Sequence, residues 1–230
     1  MRSLTIARRY NGPPDSGNGG YVCGAFSVSA GTGLRVRLLS PPPLEVPLEV
    51  SEDGQGRWRL GPDAAPVARG TAERLELEVP TPPQYVQAVW ASQHYPGFRE
   101  HVFPECFVCG PLRRRGDGLR IFPGRLETGI VAAPWLPSDA LDSGDGKVGV
   151  ECHWAALDCP GYFAVSAGRR LMLLGEMHAH VDRRVHPGEP CTVIGWKVGA
   201  EGRKHLAGTA IFDGDGELCA RALATWIERR

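Results

Sequence analysis

Gly19-Gly-Tyr-Val-Cys-Gly-Ala-Phe-Ser-Val-Ser-Ala-Gly31 is a small, apolar stretch without a charged side chain, which is typical of a helix that is buried on nearly all sides. A second stretch, Asp158-Cys-Pro-Gly-Tyr-Phe-Ala-Val-Ser-Ala-Gly168, has a similar character. Phe26-Ser-Val-Ser-Ala-Gly31 matches Phe163-Ala-Val-Ser-Ala-Gly168 at a constant offset of 137 residues, and each runs directly into a predicted strand. A buried helix that enters a sheet, repeated once, predicts a duplicated unit.

Alternation of apolar and charged residues predicts the strands. Leu34–Leu38 and Leu75–Val79 have the period of two that marks a strand with one buried and one solvated face. The turn residues Gly199–Arg203 and Asp213–Gly216 join the last three predicted strands into an antiparallel meander. The predicted strands of the second half are Leu171–Val181, Cys191–Val198, Leu206–Phe212 and Leu218–Ile227.

Prolines mark the interruptions of this pattern. Gln84–Ser92 has helical spacing of apolar residues between Pro82-Pro83 and Pro96-Gly97, so we expect a linker helix there. Pro41–Pro43 predicts an edge or a bend, because proline cannot donate a hydrogen bond to a central ladder.

Composition excludes several classes of function. Lys plus Arg and Asp plus Glu number 26 each, so the chain has no basic field that would bind nucleic acid. The N-terminal residues lack the apolar stretch of a secretory signal, and no run of about 18 apolar residues could span a membrane. The seven cysteines are accordingly predicted to be reduced thiols. We expect a soluble, cytoplasmic protein.

Three short motifs resemble those of the double-hotdog acyl-CoA thioesterase-like superfamily. Asn18-Gly-Gly-Tyr-Val22 is similar to the His-Gly-Gly-Tyr-(Leu/Val) start of that family's first central helix, with Asn in place of the usual His. Cys106-Phe-Val-Cys-Gly110, followed by Gly118-Leu-Arg-Ile121, resembles the segment that opens a unit in many small hotdog proteins. Trp154-Ala-Ala-Leu-Asp158 resembles the approach to the second central helix, where family members carry an acidic residue.

The resemblance implies an α+β double-hotdog fold, in which two fused units each wrap a long antiparallel β-sheet around a central helix. The units would be residues 1–82 and 101–230, with the linker helix in residues 83–100. The implied function is hydrolysis of acyl-CoA or a related thioester without a cofactor. The alternative is a non-catalytic protein that binds acyl-CoA or a small hydrophobic ligand. The site would lie between the two units of one chain, and a homodimer of fused chains is left open.

Asp158 is the predicted catalytic base, because it is the only carboxylate in an otherwise apolar run from Trp154 to Ala167. Asn18 is the second catalytic candidate, and free N–H groups at the helix start beside it would polarise the thioester carbonyl. Ordinary N-cap roles for Asn18 and Asp158 fit the same residues, and the sequence leaves both interpretations open. The substrate-binding candidates are Gly19, Gly20, Tyr21, His153 and Cys159.

The sequence predicts no metal site. Cys106 and Cys109 have the spacing of a zinc-binding pair, but a structural zinc ion takes four ligands. Only His101 and scattered cysteines, among them Cys159, could complete the set. We therefore interpret the pair as part of a loop that packs the start of the second unit.

Three other polar clusters are interpreted as surface features. Glu151 and His153 are placed at the end of a strand, with a role near the carbonyl held in reserve. Arg113–Arg115 is interpreted as a solvated loop that could contact the phosphates of coenzyme A. The remaining cluster would share the solvent face of one strand and consists of Glu176, His178, His180 and Asp182.

Overall fold

The computed structural model describes residues 2–166 and 171–229, in which eleven antiparallel strands form one sheet. The helices are α1 (Gly19–Ala30), α2 (Tyr85–Gln93), α3 (Val150–Ala156) and α4 (Asp158–Ser166). The strands are β1 (Arg2–Thr5), β2 (Leu34–Leu38), β3 (Pro47–Glu52), β4 (Arg57–Leu60), β5 (Ala68–Ala72), β6 (Gly124–Arg125), β7 (Val131–Trp135), β8 (Met172–Val181), β9 (Cys191–Glu201), β10 (Lys204–Phe212) and β11 (Leu218–Glu228).

The strand order is the same in the two halves of the sheet. From the centre outward, the first half runs β2-β5-β4-β3-β1 and the second runs β8-β11-β10-β9-β7, with the short β6 at the outer edge. The halves meet where β2 pairs with β8, and Val36 lies opposite Met177 in that register. The predicted meander of β9, β10 and β11 is confirmed. The unit boundaries at residues 82 and 101 stay a prediction.

The first central helix lies where the sequence predicts it. Most of α1 is buried, and it ends at Gly31, whose φ of 77° suits glycine and whose N–H donates to Ser27 and Val28. Gly24 lies against α3, where an added Cβ would come within 2.7 Å of Trp154 Cβ. Gly20 makes the same kind of close approach, since its Cβ would lie 2.6 Å from Asp158 Cβ. The glycines therefore let the two central helical segments touch.

The second central helix begins earlier than predicted. The chain is already helical from Val150, turns briefly at Leu157 and resumes in α4 at Asp158. Asp158 therefore lies inside a helical segment, and its interpretation as a simple N-cap is wrong. Pro160 suggested that a new helix starts at Asp158, because the missing N–H of proline is tolerated in the first turn of a helix. The first turn of α4 tolerates proline in the same way although it follows only a short break at Leu157, so Pro160 does not mark a free helix start. The predicted end of this helix, Ala167 and Gly168, lies outside the described residues.

One predicted strand is wrong. Leu75–Val79 pairs with no described strand, although Leu75 is buried and Glu76 and Glu78 are exposed as the alternation requires. A period of two indicates an extended backbone with one covered face. A β-strand also requires hydrogen bonds to a neighbouring strand, and the alternation does not show whether one is present. Pro41–Pro43, predicted as an edge or a bend, lies in the loop between β2 and β3, outside the ladder of the sheet.

The helix predicted between the units is present as α2. Ala88 and Ala91 on this helix are fully buried in a small apolar cluster that includes Ala132 of β7. Hence α2 also covers the sheet of the second half. In the described part of the chain, no helix is both long enough and apolar enough to cross a membrane.

Candidate active site

A cavity of about 440 Å³ lies where the start of α1 meets α4. Its wall is formed by both halves of the chain and is mostly apolar. Four of the predicted site residues line it: Asn18, Gly19, Asp158 and Cys159. Most of the apolar wall could not be predicted from the sequence, because no local pattern distinguishes a cavity-facing side chain from a core side chain. These missed residues include Leu38, Phe103, Tyr162, Phe163, Met172 and Trp226.

Asp158 is held from one side only. Its Oδ2 accepts hydrogen bonds from Asn18 Nδ2 at 2.7 Å and from the Gly20 N–H at 3.0 Å. Its Oδ1 is buried and has no hydrogen-bond partner among the described residues. The pKa of Asp158 is raised from 3.8 to about 7, chiefly by burial and to a lesser degree by Cys106, although the hydrogen bonds from Gly20 and Asn18 act to lower it. The carboxyl group is therefore poised to exchange a proton near neutral pH.

Asn18 connects the two central helices. Its Oδ1 accepts from the Tyr21 N–H at 2.9 Å, so the N-cap interpretation of Asn18 is confirmed. The same side chain donates to Asp158 through Nδ2. Because the Gly20 N–H also donates to Asp158, it is not free for a thioester carbonyl in this arrangement. Gly19 is the first residue of α1, and its N–H has no acceptor among the described residues.

Tyr21 lies outside the cavity wall. Its ring stacks on Tyr10 with centroids 3.8 Å apart and meets Phe107 edge-on. At the offset of 137 residues that aligns the two apolar stretches, Tyr21 corresponds to Asp158. The first half thus has a packed aromatic ring where the second half has the acid.

The placement of His153 at the surface end of a strand is wrong. His153 lies in α3 and is fully buried. Its Nδ1 donates to the Gly149 carbonyl at 2.9 Å, and its Nε2 accepts from the Val185 N–H at 3.0 Å. Burial lowers the pKa of His153 to about 4. With both ring nitrogens satisfied away from the cavity, His153 fastens α3 to the loop after β8. Glu151 also lies in α3.

Two surface interpretations also need correction. His178 is buried, and its Nε2 donates to the carbonyl of Glu73, the residue that follows β5, at 3.1 Å. His180 is exposed, as predicted. Within the predicted solvated loop Arg113–Arg115, Arg114 and Arg115 are exposed, whereas the Arg113 side chain is only 11% exposed and forms a salt bridge with Asp117. Arg113 also donates to the carbonyls of Arg9 and Glu105, so it braces the loop.

The cysteine pair acquires a third member in the fold. The Sγ atoms of Cys106, Cys109 and Cys159 lie within 4.8 Å of one another. His101 Nε2 lies 3.3 Å from Cys109 Sγ. All four residues line the same cavity as Asp158. These residues can be picked out in the sequence one by one. Their proximity cannot, because it depends on how α4 places Cys159 beside the loop that holds Cys106 and Cys109.

The two half-sheets, each with a central helix and joined edge to edge in one chain, define a double-hotdog fold. The double-hotdog fold that the resemblance implied is therefore confirmed. The sequence itself matches no family model and no curated protein.

Solved structures with full-length similarity identify the fold. A tesB protein of Mycobacterium avium subs paratuberculosis has a TM-score of 0.63 over 99% of this chain and 92% of its own, at 13% identity. A protein of Novosphingobium aromaticivorans, described as a candidate thioesterase, has a TM-score of 0.59 over 99% of this chain and 95% of its own, also at 13% identity. A thioesterase superfamily protein aligns over only 48% of this chain and 57% of its own, with 19% identity and a TM-score of 0.45.

Proposed function

We propose that this protein hydrolyses acyl-CoA or a related acyl thioester, with Asp158 as the general base. The observation that carries the proposal is the Asp158 carboxyl group, which lines a mostly apolar cavity with one oxygen anchored and the other unpartnered among the described residues. A carboxyl group with a pKa near 7 is partly ionised at neutral pH and can accept a proton from water.

In the proposed step, Asp158 Oδ1 accepts a proton from water while the water oxygen attacks the thioester carbon. The C–S bond then breaks, and the protonated Asp158 returns the proton to the leaving thiolate. The Gly19 N–H, at the positive end of α1, is the proposed donor to the carbonyl oxygen as it gains negative charge.

The cavity suits a ligand that is apolar at one end and anionic at the other. Its wall includes Leu38, Phe103 and Phe163, which would contact an acyl chain. The exposed residues Arg203 and Arg229 also belong to the wall, and guanidinium groups bind phosphates well. The Novosphingobium aromaticivorans protein of the same fold is described as a candidate thioesterase, which supports the same class of reaction.

The test replaces the proposed base without changing its shape. Asp158→Asn should lower turnover of an acyl-CoA panel by about 10²–10⁴-fold, because it removes the proton acceptor. Turnover by the parent should rise with pH through about 7 as Asp158 ionises. Glu151→Gln is the matched control, since Glu151 lies in the same helical segment and outside the cavity wall. Equal turnover by Asp158→Asn and the parent would refute the role of Asp158.

Binding without hydrolysis is the second candidate function. It is favoured by the engagement of the Asn18 amide and the Gly20 N–H with Asp158, which leaves fewer donors for the carbonyl oxygen. Under this hypothesis, acyl-CoA binds to the parent and to Asp158→Asn alike, and neither accelerates hydrolysis. Calorimetric titration of both proteins alongside the turnover assay separates the two functions.

A further inference from the structure

We propose that Cys106, Cys109 and Cys159 bind one zinc ion, with the fourth coordination position facing the cavity. The three sulfur atoms lie within 4.8 Å of one another, and Cys106 Sγ is 3.8 Å from Cys159 Sγ. Two sulfurs that each lie about 2.3 Å from a tetrahedral zinc ion are separated by about 3.8 Å. The Cys106–Cys159 pair has this separation, and the sulfur of Cys109 lies within 4.8 Å of both.

The three sulfurs come from two separate elements that are both fixed in place. Cys106 and Cys109 lie in a tight loop, in which the Gly110 N–H donates to the Cys106 carbonyl at 2.9 Å. Gly110 allows this turn, because an added Cβ would lie 2.6 Å from the Cys106 backbone. Cys159 comes from the first turn of α4. All three side chains are buried, so the ligands are held together before a metal arrives.

His101 supports the cluster from outside the ligand set. Its Nδ1 accepts from the Phe103 N–H at 3.0 Å, so a neutral ring carries its proton at Nε2. That N–H points to Cys109 Sγ at 3.3 Å. A hydrogen bond to a thiolate stabilises its negative charge and orients it towards the metal. The ligand set is therefore three thiolates, and the fourth position remains for water or for a group that enters the cavity.

Zinc fits this donor set better than a hard cation, because soft thiolates select zinc over magnesium or calcium. Two of the three sulfurs could instead form a disulfide on oxidation, although all seven cysteines are free in this structure. The inference does not rest on the proposed hydrolase activity, since metal binding is measured directly.

The test measures metal in the purified full-length chain. Protein expressed with added zinc should hold about one zinc ion per chain by elemental analysis. After removal with a chelator under reducing conditions, titration with Co²⁺ should give the charge-transfer absorption of thiolate ligands. Cys159→Ser should abolish stoichiometric binding, whereas Cys191→Ser, which changes a buried cysteine outside the cluster, should leave it unchanged.

The variant His101→Gln tests whether His101 only donates a hydrogen bond to a thiolate or is itself a zinc ligand. We expect it to retain stoichiometric metal and the thiolate absorption while weakening affinity by about 10–100-fold. Complete loss of metal from folded His101→Gln would overturn the three-thiolate set. If Cys159→Ser fails to fold, the metal titration of the parent still tests the proposal. Failure of the reduced parent to bind either zinc or Co²⁺ would overturn it. A count of two fewer free thiols in the parent would identify the cluster as a disulfide site instead.

Discussion

Keeping Asp158 ionised in the folded protein costs free energy at neutral pH, because a buried carboxylate loses much of its hydration. The hydrogen bonds from Asn18 and Gly20 offset part of this cost without returning the pKa to its ordinary value. The folded state consequently favours the protonated form. Stability from the neutral carboxyl group is complete below about pH 4 and is lost as pH rises through the folded pKa of about 7.

Asp158→Asn should therefore gain stability relative to the parent as pH rises. The amide can accept the same hydrogen bonds but never ionises, so the difference in unfolding free energy between variant and parent should grow by on the order of a few kcal/mol from pH 4 to pH 8. Urea unfolding at several pH values measures this difference. A difference that does not change with pH would contradict the raised pKa of Asp158.

Close packing of α1 on α3 depends on glycine at one position in particular. Alanine has a higher helix propensity than glycine by about 1 kcal/mol, so an isolated helix would gain from Gly24→Ala. In the folded chain the added Cβ would lie 2.7 Å from Trp154 Cβ and 2.8 Å from Glu151 Cα. Because Glu151 Cα is backbone, relief requires the helices to separate.

We expect Gly24→Ala to lower the free energy of unfolding by roughly 1–3 kcal/mol, since overpacking outweighs the propensity gain. Gly33→Ala is the matched control, because nothing lies within 4 Å of the Cβ it would add. Chemical denaturation of both variants tests the contrast. A denaturation midpoint for Gly24→Ala equal to that of the parent would contradict the predicted overpacking between α1 and α3.

The elements that could be predicted from the sequence are those whose pattern directly reflects local structure. The apolar stretch of α1, the alternation in β2 and the turns between β9, β10 and β11 each report a local preference that the fold retains. Leu75–Val79 failed because its alternation does not reveal a pairing partner. Asp158 and Asn18 could be chosen as isolated candidates, but their hydrogen bond spans 140 residues and depends on the packing of two helices.

At the scale of the whole molecule, one sheet passes through both halves. The β2–β8 junction pairs Arg35, Val36 and Arg37 with residues of β8. Arg35 also forms a 2.7 Å salt bridge with Glu176 across the junction, and α1 packs against α3 from the other half. The halves therefore share both backbone hydrogen bonds and core contacts.

The two halves should unfold as one cooperative unit. Val36 is fully buried at the junction, so Val36→Ala should lower the opening free energies of β3–β4 and β9–β10 by the same amount, about 1–3 kcal/mol. Hydrogen exchange read by mass spectrometry follows both regions in one experiment. Destabilisation confined to β3–β4 would indicate halves that unfold independently.

The correspondence of Tyr21 with Asp158 has an evolutionary consequence. In a dimer of identical units, every substitution appears twice, so a change that improves one helix start is imposed on its symmetry mate. A fused chain encodes each helix start separately. Selection could then fill one position with an aromatic ring stacked on Tyr10 while keeping an acid at the other, and stability and chemistry could be improved in different halves of one gene.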